Sequence, residues 1–172
     1  MPAAELLRAG EHATSRSAFY RRAKVGAYER IARGVYLPSD ADPADWDWLE
    51  ATAKHPKATV CLASALAYYD LTAEIPQARD VAIPRGSRTP ATDAAIAWHH
   101  FAADSFGLGR TTIAIPGSNV RIGIYGPERS IADAFRLRGS LGYELGRDAL
   151  RSWLGRGGKP ADLLELASQL PR

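Results

Sequence analysis

Ser17, Tyr20, Arg21 and Lys24 fall on one side of a 3.6-residue helical wheel, with Ala18, Phe19 and Ala23 roughly opposite. Hydroxyls and cations gathered on one face suit nucleic acid. Guanidinium and ammonium groups neutralise phosphates or reach guanine edges, and hydroxyls donate to either. Arg16 precedes this face, and Arg30 and Arg33 follow it in the chain. The charge balance points the same way. Residues 1–36 carry seven Lys/Arg against three Glu, a net +4, and residues 37–172 carry fifteen against sixteen, a net −1, which together make the chain's +3. An excess of positive charge confined to one segment is the footprint expected of phosphate contacts.

The elements that must hold these groups can be read from the same stretch. A helix runs from Ser15 to Gly26, which stops it by admitting positive φ. Tyr28 to Ile31 alternates like a strand, Arg33–Gly34 turns, and Val35–Leu37 returns. Upstream, Pro2–Ala9 reads as a short helix stopped by Gly10, with a turn over Glu11–Thr14. Helix, turn, helix and basic hairpin together outline a winged helix-turn-helix, in which the second helix enters the major groove and the hairpin meets the backbone. On that outline Ser17, Tyr20 and Arg21 read bases, Arg16 and Lys24 hold phosphates, and Arg30 and Arg33 touch the backbone from the wing.

The remainder reads as a mixed α/β domain, a small sheet flanked by helices. Asp42–Pro43–Ala44–Asp45 is a helix start, with Asp42 as N-cap and Pro43 at the first helical position, and the helix continues to His55–Pro56. The Asp45-x-Asp47 pair could hold a metal, but two residues apart on a helix they point to different sides, which favours capping. Lys57–Leu71 is Ala-rich and reads as one buried helix. Strands follow at Arg79–Pro84 and Ala94–Phe101, then a hairpin of Thr111–Ile115 and Val120–Tyr125 around Pro116–Asn119. Three helices close the chain, beginning at Pro127 and spanning about Tyr143–Leu154 and Pro160–Leu170.

Few residues here are set for catalysis. The sequence has no H-E-x-x-H, G-x-S-x-G, P-loop or C-x-x-C motif. No Lys has an acid two residues before it, as a restriction-type nuclease needs. Gly86–Ser87 is followed by Asp93 alone, and the D-x-D of Asp45 and Asp47 lies upstream, so the metal pair of a nucleotidyltransferase is missing. Adjacent His99 and His100 on a strand point to opposite faces and do not share a metal. No enzyme, metal or cofactor is expected. Arg129 and Asp133, at i and i+4, make either a surface ion pair or a buried polar anchor between helix and sheet. Arg85 and Arg88, on the turn after a strand, are either solvated or contacts for nucleic acid or a partner protein. Cys61, the one cysteine, reads as a small buried hydrophobe and fits a reducing cytoplasm. No apolar run nears the ~18 residues of a membrane span, and no signal peptide is expected.

The run ARGVYLP after a helix opening with SRS resembles the winged-helix segment of the AbiEi-type antitoxin family of bacterial abortive-infection, type IV toxin–antitoxin pairs. SALA followed by LT and a proline is similar to the family's central signature. IYGPERSIADAFRLRG, ALRSWLGR and LLELASQL resemble its C-terminal half, so the likeness runs over nearly the whole chain. It implies a winged-helix segment over residues 1–38 and an antitoxin domain over 39–172. It implies further an autorepressor that binds inverted repeats of double-stranded DNA at its own operator and counters a nucleotidyltransferase toxin without needing to touch it. The family's pattern places another helix before this point, so the segment is expected to lack its first helix. Arg22 stands where the family carries an apolar residue. Both departures favour an alternative, a protein-interaction module that has lost DNA binding.

Overall fold

Ser15 opens the first helix of the computed structural model, which describes residues 5–11, 15–41 and 45–172. Its backbone is extended and its Oγ accepts the Ala18 N–H at 3.1 Å, filling one donor that the first turn leaves unpaired. Helix α1 (Arg16–Lys24) ends on Arg21, Arg22 and Lys24, cations that suit the negative end of the helix dipole. Gly26, at φ +82°, carries the chain into strand β2 (Tyr28–Ala32), which returns through Gly34, φ +75°, as β3 (Val35–Pro38). Ser39 closes this hairpin onto the helix end, its Oγ donating to Gly26 O at 2.6 Å and its N–H to Ala27 O at 3.1 Å.

The short helix expected over Pro2–Ala9 is not what forms among the described residues. Leu7–Arg8 is instead a strand, β1, paired antiparallel to β3 through Leu7–Tyr36 and Arg8–Val35, giving a three-stranded sheet in the order β1-β3-β2. Pairing there satisfies the second edge of β3 and buries Ala9 beside Phe19 and Tyr36. The turn placed over Glu11–Thr14 and the cap placed at Asp42 fall largely or wholly outside the described residues. The cap in place is Asp45, whose Oδ1 accepts the Trp48 N–H at 3.2 Å and starts helix α2 (Trp46–Lys54).

A second correction falls at Lys57–Leu71, which is not one helix. Thr59–Val60 is a strand, β4, and the helix, α3, begins only at Leu62 and runs to Tyr68. Leu62 takes φ +47° at the changeover. With β5 (Arg79–Pro84), β6 (Ile96–Phe101), β7 (Arg110–Ala114) and β8 (Arg121–Tyr125), β4 builds a five-stranded mixed sheet in the order β6-β5-β4-β8-β7. β4 lies at its centre, antiparallel to β5 and parallel to β8, so its backbone groups are satisfied on both edges.

Successive residues of these strands enter different clusters, as the pleat requires. Val60, Val81, Ile122 and Ile124 pack with Trp48, Leu49 and Ala51 of α2, while Ala82, Phe101 and Tyr125 pack with Cys61 and Leu62. Helices α4 (Pro127–Arg136), α5 (Arg138–Leu141), α6 (Tyr143–Gly155) and α7 (Pro160–Ser168) complete the chain, with Ile131, Ala134, Leu145 and Trp153 meeting Leu66 of α3. Leu37 of β3 sits in the cluster under α2, and Leu6 and Ile31 pack against it. The whole is an α+β fold of helices and small sheets. No helix of the described residues is long and apolar enough to cross a membrane.

Candidate nucleic-acid interface

Phe19 decides which way α1 faces. Its side chain is 1% exposed, stacked on Tyr28 with centroids 4.9 Å apart and set edge-on to Tyr36 at 5.2 Å. Aromatic pairs of this kind add about 0.5–1.5 kcal/mol each beyond the area they bury. With Phe19 turned into the hairpin, Arg16, Ser17, Tyr20, Arg21 and Lys24 are left exposed on the other side. Tyr20 keeps 49% of its surface in water while its ring still leans on Phe19 and Tyr36. Arg22 is also exposed, and its Nη1 donates to the Tyr28 hydroxyl at 3.3 Å, tying helix to strand.

The hairpin's own cations border α2 and the loop before β6, where they line hollows with Lys54 and Asp93. Arg30 and Arg33 are both exposed, on β2 and in the turn that follows it. The β2–β3 ladder shifts register between Arg30 and Ala32, and Arg30 Nε donates to the Ala32 carbonyl at 3.4 Å. A bulge of this sort re-aims the side chains of the strand that carries it.

The remaining candidates lie elsewhere. Arg85 and Arg88 are exposed on the loop after β5, with no side-chain partner among the described residues. Arg129 and Asp133 of α4 are each 1% exposed, joined by an Nε–Oδ2 contact of 2.7 Å. Arg129 Nη1 donates to the carbonyls of Ser105 (2.8 Å) and Leu108 (2.6 Å), and its guanidinium lies 4.3 Å from the Tyr125 ring centroid. The pair thus fastens helix to sheet and loop as an internal anchor. Asp133 also takes Arg136 Nη1 on its other oxygen.

His99 and His100 part as adjacent strand residues must. His99 Nε2 meets Asp80 Oδ1 and His100 Nε2 meets Thr89 Oγ1, each at 2.9 Å. Asp45 and Asp47, expected to point apart, converge on Arg79 at 3.1 and 3.4 Å. They can do so because Asp45 is the cap, outside the helix, rather than a residue of it. Burial raises the Cys61 thiol well above its ordinary pKa, with the Asp80 and Asp133 carboxylates adding to the effect and Arg129 opposing it. Burial likewise raises the Tyr125 phenol, whose hydroxyl donates to Phe106 O at 2.7 Å. Among the described residues no three His, Cys, Asp or Glu side chains are grouped to hold a metal ion.

Several polar residues that organise the fold escape a reading of the sequence. Glu50 is buried and its carboxylate accepts the N–H groups of Asp93 and Ala94, both at 2.8 Å, pinning the loop before β6. Asp80 accepts from the Ser64 N–H as well as meeting His99. Arg110 of β7 reaches across β8 to Thr59 of β4, Nε to Oγ1 at 2.7 Å, over Gly123. A Cβ at Gly123 would come within 2.3 Å of that guanidinium, so glycine is what lets it pass. No local signal marks these residues, since each partner lies many positions away.

The fold therefore defines an α+β protein with an exposed cationic helix beside a basic hairpin. No protein-family model and no curated protein matches the chain. Among solved structures, the crystal structure of the RV2827C protein from Mycobacterium tuberculosis is similar, with a TM-score of 0.50 over 99% of this chain and 78% of that one. The two are 13% identical, and at that level the likeness is one of fold.

Proposed function

We propose that this chain is a cytoplasmic, DNA-binding antitoxin of the AbiEi type, repressing its own operon and countering a nucleotidyltransferase toxin. The observation that carries the reading is the split of α1. Phe19 is sealed into the hairpin while Ser17, Tyr20, Arg21 and Lys24 face water together, flanked by Arg16. We read α1 with the three strands β1-β3-β2 as a winged-helix unit, α1 as the groove helix and the β2–β3 turn as the wing. Arg21 then reads a base edge with Ser17 and Tyr20, and Arg16, Lys24, Arg30 and Arg33 meet phosphates. The sequence resemblance to the AbiEi family supplies the toxin-countering half of the proposal, for residues 39–172.

Gel shifts on the DNA upstream of the gene, run as a salt series, test the first half. Arg21→Ala is expected to cost about 1–3 kcal/mol and relax specificity, and Lys24→Ala to lower the salt slope by about 1. Unchanged binding in both variants removes the assignment. Co-expression with the neighbouring toxin gene tests the second half. Protection from the toxin with no operator binding by the native chain would favour the interaction module over the repressor.

A further inference from the structure

A cavity of ≈ 300 Å³ opens between the ends of β5 and β6, helix α4 and the C-terminal tail, away from α1. Arg85, His99, His100, Ser105, Arg129 and Arg136 line it, Phe101 contributes an apolar wall, and Arg172 follows at the rim. Neither Asp nor Glu is among its lining residues.

The charges around it do not balance. Asp133, behind the cavity, is shared by Arg129 and Arg136, so one carboxylate serves two guanidiniums. Arg136 uses its Nε on the Pro171 carbonyl at 2.7 Å, which ties the tail across one side. Arg85 adds a further positive charge and has no side-chain partner among the described residues. Ser105 is 9% exposed, and its Oγ is buried with no hydrogen-bond partner although the residue lines the cavity. A buried hydroxyl left unpaired costs about 1–3 kcal/mol, and a turn of its χ1 towards a ligand would recover that.

We propose that this cavity binds the phosphate group of a small phosphomonoester. Arg85, Arg129 and Arg136 set against the carboxylates of Asp133 and Asp80 leave positive charge in excess, which suits an oxyanion. Arg85 and Arg136 approach from different elements, as a tetrahedral group with several acceptor oxygens requires. Arg129, fixed by Asp133 and two carbonyls, presents its guanidinium beneath the site without giving up those contacts. The volume is near the lower end for small-molecule pockets, enough for a phosphate carried on a small organic group and far too small for a duplex.

Titration of the full chain with inorganic phosphate and, separately, with adenosine 5′-monophosphate, followed by calorimetry and by NMR shifts of His99 and His100, tests this. Saturable binding is expected for both, and tighter binding of the nucleotide identifies an esterified phosphate as the ligand. Arg85→Glu, at an exposed position, is expected to weaken binding about tenfold or more, the loss of a charge-assisted hydrogen bond. Ser105→Ala is expected to weaken it severalfold while melting at or above the native temperature, because the hydroxyl has no partner to lose. Absence of saturable binding by either ligand at millimolar concentration overturns the proposal. So does binding that survives unchanged in both variants.

Discussion

Arginine does opposite things in the two parts of this chain. Over residues 16–33, Arg16, Arg21, Arg22, Arg30 and Arg33 all face water. In α4, Arg129 is 1% exposed, clamped by one carboxylate and two carbonyls under an aromatic ring. An exposed guanidinium breaks few protein contacts when it meets a phosphate. A buried one has been desolvated already and is held in place by groups that would be stranded without it. Sequence distance from a carboxylate does not separate the two kinds, but the packing around each does.

The sharpest way to break this contrast is Asp133→Ala, which leaves two guanidiniums without their shared carboxylate. Loss of one partner of a buried pair costs about 3–5 kcal/mol. A urea unfolding curve showing less than a tenth of that would mean α4 is not fastened through Asp133. Next in size is Phe19→Ala, for which burial and cavity terms together suggest about 3 kcal/mol. Its effect should be confined to the front of the molecule, with amide exchange speeding up in α1 and β2 while β5 and β8 stay protected. Uniform acceleration would show that front and body unfold as one unit.

The smallest effect concerns pH. Burial raises the Cys61 thiol, so the folded chain keeps that proton at a pH where the unfolded chain releases it. Stability from this source is complete below the ordinary thiol range and falls as pH rises above about 8.5. Urea midpoints measured on either side of that value should drop less for Cys61→Ala than for the native chain. Equal drops would assign the loss to other groups.

Elements with enough residues to show a period could be read from sequence. α1, β5, β8 and the helix beginning at Pro127 lie within a residue or two of their expected bounds. The two missed strands, Leu7–Arg8 and Thr59–Val60, are each two residues long, too short for any alternation to register. β4 is also buried on both faces, so its residues look like the apolar helix that follows. At the candidate interface the exposed set was legible because α1 is short, regular and anchored by one large aromatic. The pairing of Arg129 with Asp133 was legible too, from four-residue spacing, but its depth was not. Depth there is set by Tyr125, Ser105 and Leu108, which only the folded chain brings close.

Leu37 has a consequence for how the cationic front could work. Being wholly inside the cluster beneath α2, with Leu6 and Ile31 packed alongside, it welds the hairpin to the body instead of leaving it on a tether. On the proposed function, a hairpin mounted that way carries its DNA contacts without a swivel. If two copies grip an inverted repeat, the gap between half-sites is then dictated by the dimensions of the rigid bodies, and a change of a base pair or two in that gap should be tolerated poorly.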